Sequence, residues 1–145
     1  MSEKTERANA YRGASFNCSQ AVFAAFAEDY DVEVETALRI SSAFGGGMRC
    51  GEVCGAATGG LMAIGAAKGQ YIPGDLGAKA DCGARAAEFM AEFRRVNGCL
   101  LCRDLLGVDT STPEGHEKFE LENMGELKCS GFIENAIAIL ERLGY

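Results

Sequence analysis

The feature that most constrains this chain is the stretch "GGGMRCGEVCGAATGGLMAIGAAKG", residues 45–69. Each glycine inside a helix costs about 1 kcal/mol relative to alanine. Yet the alanines, leucine and methionine around them favour helix over strand, and no β-branched run is present. A helix that keeps so many glycines must recover the loss through close packing. The spacing predicts a helix from about Cys50 to Lys68, with Gly51, Gly55 and Gly59 on one face. A neighbouring helix or a ligand can approach the backbone along that face. Gly55 and Gly59 are therefore candidate cofactor-binding positions.

The rest of the chain also reads as helical. A first helix is expected from about Tyr11 or Asn17 to Tyr30, with residues 1–10 frayed, and a second from Glu33 to Phe44, stopped by Gly45-Gly46-Gly47. A long helix is predicted over Leu76 to Asn97, closed by Gly98. "CLLCRDLLG" reads as a short helix ended by Gly107, and Ser111-Thr112-Pro113-Glu114 as a capped helix start. The last helix, about Leu127 to Leu143, has the clearest period. Cys129, Phe132, Ile133, Ala136, Ile137, Leu140 and Leu143 recur at i, i+3, i+4, i+7 spacing. The expected fold is a single all-α domain spanning residues 1–145, a helical bundle of about four main helices plus short ones. Phe23, Phe26, Phe89 and Phe93 are expected in its core.

With 145 residues, 48% apolar and 24% charged, the chain is long and apolar enough for one real core. Its net charge of -7 argues against nucleic acid as the main partner, because phosphate binding needs a basic surface. No uninterrupted apolar segment approaches bilayer length, and the first sixteen residues lack the apolar centre of a signal peptide. A cytoplasmic protein that does not engage membranes is the expectation, with homo-oligomer formation open. The Gly-rich stretches lack a preceding strand and a G-x-x-x-x-G-K-[ST] pattern, so a phosphate loop is disfavoured. His116 is the lone histidine and reads as an isolated surface side chain; Glu120 and Glu122 read as a solvated charge run.

Seven cysteines remain to be explained. In a reducing compartment, many cysteines point to catalysis, redox work or metal, although cysteine is also a small buried hydrophobe. Cys50 and Cys54 lie one helical turn apart, and Cys99 and Cys102 form a C-x-x-C at a helix start. Cys18, Cys54, Cys102 and Cys129 each fall near the first turn of a predicted helix, where the helix N-terminus favours a thiolate. Two chemistries use these four. One is dithiol–disulfide exchange; the other is a zinc site or an iron–sulfur cluster held by four thiolates. With no histidine placed for acid–base work, activation of a thiolate falls to helix N-termini, Arg49 or Arg103. Cys82 shares a face with Ala86 and Phe89 and reads as core.

Four segments, in order, resemble the bacterial and archaeal family of redox-active proteins named for its C_GCAxxG_C_C cysteine signature. They are "NCSQAVFAAF" at Cys18, "GEVCGAATGGLMAIG" at Cys54, "CRDLLG" at Cys102 and "KCSGFIENAIAILERL" at Cys129. The chain departs from the signature at its centre. Val53 stands where a glycine precedes the cysteine, and Gly59 falls one residue late. The resemblance implies a redox chemistry class and names no substrate. It makes Cys18, Cys54, Cys102 and Cys129 the candidate catalytic residues of a thiol–disulfide oxidoreductase acting with an unidentified redox partner. Cys54 leads, because the glycines beside it open the backbone. The cofactor is zinc, an iron–sulfur cluster held by the same four, or none.

Overall fold

The computed structural model describes all 145 residues and contains eight α-helices and no strand. They are α1 (Glu3–Gly13), α2 (Cys18–Ala27), α3 (Val34–Ser41), α4 (Gly55–Lys68), α5 (Leu76–Asn97), α6 (Cys102–Leu106), α7 (Pro113–Leu121) and α8 (Ser130–Arg142). The all-α expectation holds, and α5 begins and ends where its sequence pattern places it. Asp75 caps its first turn by accepting from the Ala78 amide, and Gly98 takes the left-handed conformation that ends it. No helix is long and apolar enough to cross a membrane.

The middle of the fold is α2, buried on every face from Ser19 to Ala27. Its start is fixed by a capping box. The Asn17 side chain accepts from the Gln20 amide at 3.0 Å while the Gln20 side chain accepts from the Asn17 amide at 2.9 Å. Against α2 lies α4, and here the glycines explain themselves. A Cβ on Gly59 would stand 2.6 Å from the carbonyl oxygen of Ser19. One on Gly55 would stand 3.1 Å from the Ser19 nitrogen and 3.2 Å from the Cys18 Cβ. The close approach is by a helix, so Gly55 and Gly59 are packing positions; no room for a cofactor exists there. Their pairing on one face of α4 also settles the register that the displaced signature glycine left open. On another face, Gly60 receives the ring of Phe89 from α5.

Phe26, Phe89, Phe93, Ile64, Ile133, Ile137 and Leu140 are fully buried and join α2, α4, α5 and α8 in one core, as does the nearly buried Phe23. Each such side chain contributes about 1.5–3 kcal/mol through burial. A second, smaller cluster, Cys102, Leu106, Met124 and Cys129, sits where α6 meets the start of α8.

Three boundaries differ from expectation. Residues 3–13 form α1, capped by Ser2 and packed on α2 and α8, rather than fraying. The first expected helix is α2 alone, passing through a short tight turn to Tyr30. The last helix starts at Ser130 after a wider turn over Gly125–Cys129.

The largest correction concerns residues 45–54. They are not helical, so Cys50 and Cys54 do not share a helix face, and Gly51 does not join Gly55 and Gly59. Gly46, Gly47, Met48 and Arg49 all have left-handed backbones, with φ between 58° and 64°. For Met48 and Arg49 this costs about 1–2 kcal/mol each. The turn is over-determined by its surroundings. The Glu52 amide donates to the Gly47 carbonyl at 2.9 Å. A side chain on Gly47 would strike Glu52 and the Cys102 Cβ. Past the turn, Val53 and Leu101 form an isolated antiparallel bridge. The Cys54 amide donates to the Leu100 carbonyl at 2.8 Å and the Cys102 amide to the Glu52 carbonyl at 2.6 Å. This bridge places Cys54 and Cys102 side by side at the starts of α4 and α6.

Candidate functional site

Each of the four signature cysteines stands at a helix start. Cys18 is the first residue of α2, Cys54 the N-cap of α4, Cys102 the first residue of α6, and Cys129 the residue before α8. The folding rules that place them differ. Asn17 caps ahead of Cys18, the Val53–Leu101 bridge sets Cys54 and Cys102, and the wide turn Gly125–Cys129 delivers Cys129.

The four meet. Cys18 and Cys129 are each the strongest influence on the other's ionisation, and Cys54 and Cys102 lie close enough for their charges to act on Cys18. All seven cysteines are free thiols. The other three stand apart from this pair. Cys50 is exposed and directs its sulfur at the Gly47 carbonyl, 3.5 Å away. Cys99 is half-buried near Cys54, and Cys82 packs from α5 onto the core.

The environment separates the four thiols. Burial pushes Cys54 up to about 11, only partly opposed by the Ala56 and Ala57 amides at the start of α4. Burial likewise pushes Cys102 up to about 12. Cys18 is raised well above the ordinary thiol value, first by its pairing with Cys129 and then by burial. Cys129 alone is lowered. Its pairing with Cys18 is the largest cause, and the positive charges of Arg12 and Lys128 add to it.

Arg12 comes from α1, and its guanidinium donates to Glu126 at 2.7 Å, which holds it beside the wide turn. Its Nε is buried and has no protein acceptor. Sequence reasoning named Arg49 and Arg103 as activating cations instead. Arg103 is occupied with Glu52 at 2.8 Å and the Gly51 carbonyl at 3.1 Å, so it braces the loop. Arg12 was missed because nothing in α1 announces a functional residue.

A cavity of about 480 Å³ opens onto the cluster. Cys102 and Cys129 form part of its floor, with Phe16, Leu106 and Phe119 as apolar wall and Arg49, His116 and Glu120 among its polar lining. His116 is surface-exposed, as expected, but on the rim of this cavity rather than in isolation. No three Cys, His, Asp or Glu side chains come together in an arrangement that could hold a metal ion. The metal and cluster alternative requires four converging sulfurs, and the donor set does not meet that requirement.

No curated protein and no solved structure matches the chain. A family model matches residues 16–143, a span that includes all four cysteines and the cavity but excludes α1 and Arg12. The chain belongs to the family described as "Putative redox-active protein (C_GCAxxG_C_C)".

Proposed function

We propose that this protein carries out thiol–disulfide exchange, with Cys129 as the attacking thiolate and Cys18 as the resolving thiol. The observation that carries the reading is the pairing of Cys18 with Cys129 beside an open cavity that Cys129 lines, with Cys129 the one signature thiol whose proton is loosened. A nucleophilic thiol must be both ionised and reachable. Cys54, favoured by the sequence, is 4% exposed and held protonated by burial, which suits a reserve thiol better than an attacking one. The Arg12 Nε–H, a buried donor without an acceptor, supports an anionic sulfur at Cys129. Cys54 and Cys102 stand next in line to exchange with the Cys18–Cys129 disulfide.

The order of attack is tested by trapping. Exposed to a small disulfide, the Cys18→Ser variant retains a mixed disulfide on Cys129, because no partner resolves it, whereas Cys129→Ser retains none. An adduct that accumulates on Cys54 instead, or on both variants alike, overturns the assignment.

A further inference from the structure

We propose that the cavity above Cys129 binds small amino-acid disulfides, with Arg49 taking the carboxylate and Glu120 the ammonium group. The proposal rests on the thiol–disulfide reading of the same site. Its volume, about 480 Å³, suits a ligand of that size and is too small for a folded protein partner.

Charge selects the ligand class. Arg49 lines the cavity and spends its guanidinium on one long hydrogen bond, 3.4 Å to the Ser42 carbonyl. The other arginines near the cluster, Arg12 and Arg103, are paired with Glu126 and Glu52. Arg49 is also held in a left-handed backbone, at φ 64°. Such strain persists only where surroundings enforce it, and it concentrates at functional positions. A cation without a carboxylate partner, lining a cavity of a chain with net charge -7, is a site for an anion. Glu120 lines the same cavity, and Lys118, the cation of its own helix, pairs with Glu122 instead. One free cation and one free anion over a reactive thiol match the zwitterionic end of an amino acid whose sulfur reaches Cys129.

The chemistry balances without a further reagent. The Cys129 thiolate attacks one sulfur of the disulfide RSSR, forming Cys129–S–S–R and expelling RS⁻, which takes up a proton. Cys18 then loses its proton and attacks the Cys129 sulfur. The protein disulfide forms and a second RS⁻ leaves, protonated in turn. Two protein thiols are oxidised and one RSSR is reduced to two RSH.

The test uses the reduced full-length chain in single turnover against four probes: cystine, cystamine, dithiodiglycolate and hydroxyethyl disulfide. Each rate is divided by that probe's rate with a free small thiol, which removes intrinsic reactivity. The expected ranking puts cystine at least about tenfold above neutral hydroxyethyl disulfide, the scale of one charge-assisted hydrogen bond. Cystamine carries ammonium groups only, so steering by the overall negative charge favours it. Cystine outranking cystamine therefore reports the local carboxylate site. Arg49→Asn, which tolerates the left-handed backbone, is expected to bring the cystine-to-neutral ratio close to one, and Arg49→Lys to restore part of it. Equal normalised rates for all four probes, or an unchanged ratio in Arg49→Asn, overturn the ligand assignment while leaving the exchange reading standing. Absence of reaction with every probe overturns both. The ranking on the wild-type chain decides the matter even where the variant does not fold.

Discussion

Cys18 and Cys129, 111 residues apart in the chain by their numbering, are paired at two helix starts, and each shifts the other's ionisation in the opposite direction. Cys18 holds its proton more tightly and Cys129 gives its own up more readily. Neither effect needs a histidine. Two helix starts and one arginine from a third helix are enough to divide a thiol pair into nucleophile and resolver.

The contribution of Arg12 can be isolated. Alkylation of Cys129 followed against pH is expected to inflect below the ordinary thiol value of about 8.5, because the thiolate is the reacting species. In Arg12→Gln the inflection moves up, and the rate at pH 7 falls about tenfold for each unit of that movement. Arg12→Lys, which keeps the charge, retains part of the shift. Peptide-resolved labelling by mass spectrometry gives both numbers; an inflection unmoved by Arg12→Gln would show that the arginine plays no part.

Gly59→Ala tests the α2–α4 contact. A methyl group there meets the Ser19 carbonyl at 2.6 Å, and backbone cannot step aside as a side chain can. The gain in helix propensity, about 1 kcal/mol, is smaller than the overpacking penalty that such intrusions bring. A net loss of about 1–2 kcal/mol is expected from denaturant unfolding. Gly65→Ala on the same helix, where a Cβ meets nothing within 4 Å, is expected to be neutral or stabilising.

The buried thiols also set a pH dependence of stability. Cys18, Cys54 and Cys102 are raised in the folded state, the last two to about 11 and about 12. A thiol with a raised value keeps its proton in the fold when the unfolded chain has lost it. The stability it contributes is complete below about pH 8.5 and declines as pH rises toward the folded value. Cys129, lowered, acts in the opposite sense and loses its contribution as pH falls through its folded value. Three raised groups outweigh one, so the unfolding free energy under reducing conditions is expected to fall between pH 8.5 and 11 by about 1 kcal/mol per pH unit for each raised thiol. Cys54→Ala is expected to flatten that slope. A slope identical to the parent would mean that Cys54 ionises normally in the fold.

Much of this architecture was legible because local rules and tertiary packing agree. The apolar rings of α5 and the glycine at its end mark Leu76–Asn97 without ambiguity, and the period of α8 marks that helix though not its first turn. The four cysteines at helix starts were legible for the same reason, since caps and small residues mark where helices begin. Two parts were not. In residues 45–54 glycine spacing fits a tightly packed helix and a left-handed turn equally well. Tertiary contacts of Gly47 with Glu52 and Cys102 decide for the turn. In α1, polar residues dominate and only Thr5 and Ala8 are buried, so no apolar stripe signals the helix that supplies Arg12. The cavity, built from loops and helix ends distant in sequence, carries no sequence period at all.

The most direct test of the central claim is the identity of the first disulfide formed. The reduced chain is treated with less than one equivalent of a small disulfide, quenched in acid, digested and mapped by mass spectrometry. A bond between Cys18 and Cys129 is expected to appear first, with Cys50, Cys82 and Cys99 still free. A first bond that joins Cys54 to any partner while Cys129 remains a thiol would contradict the account.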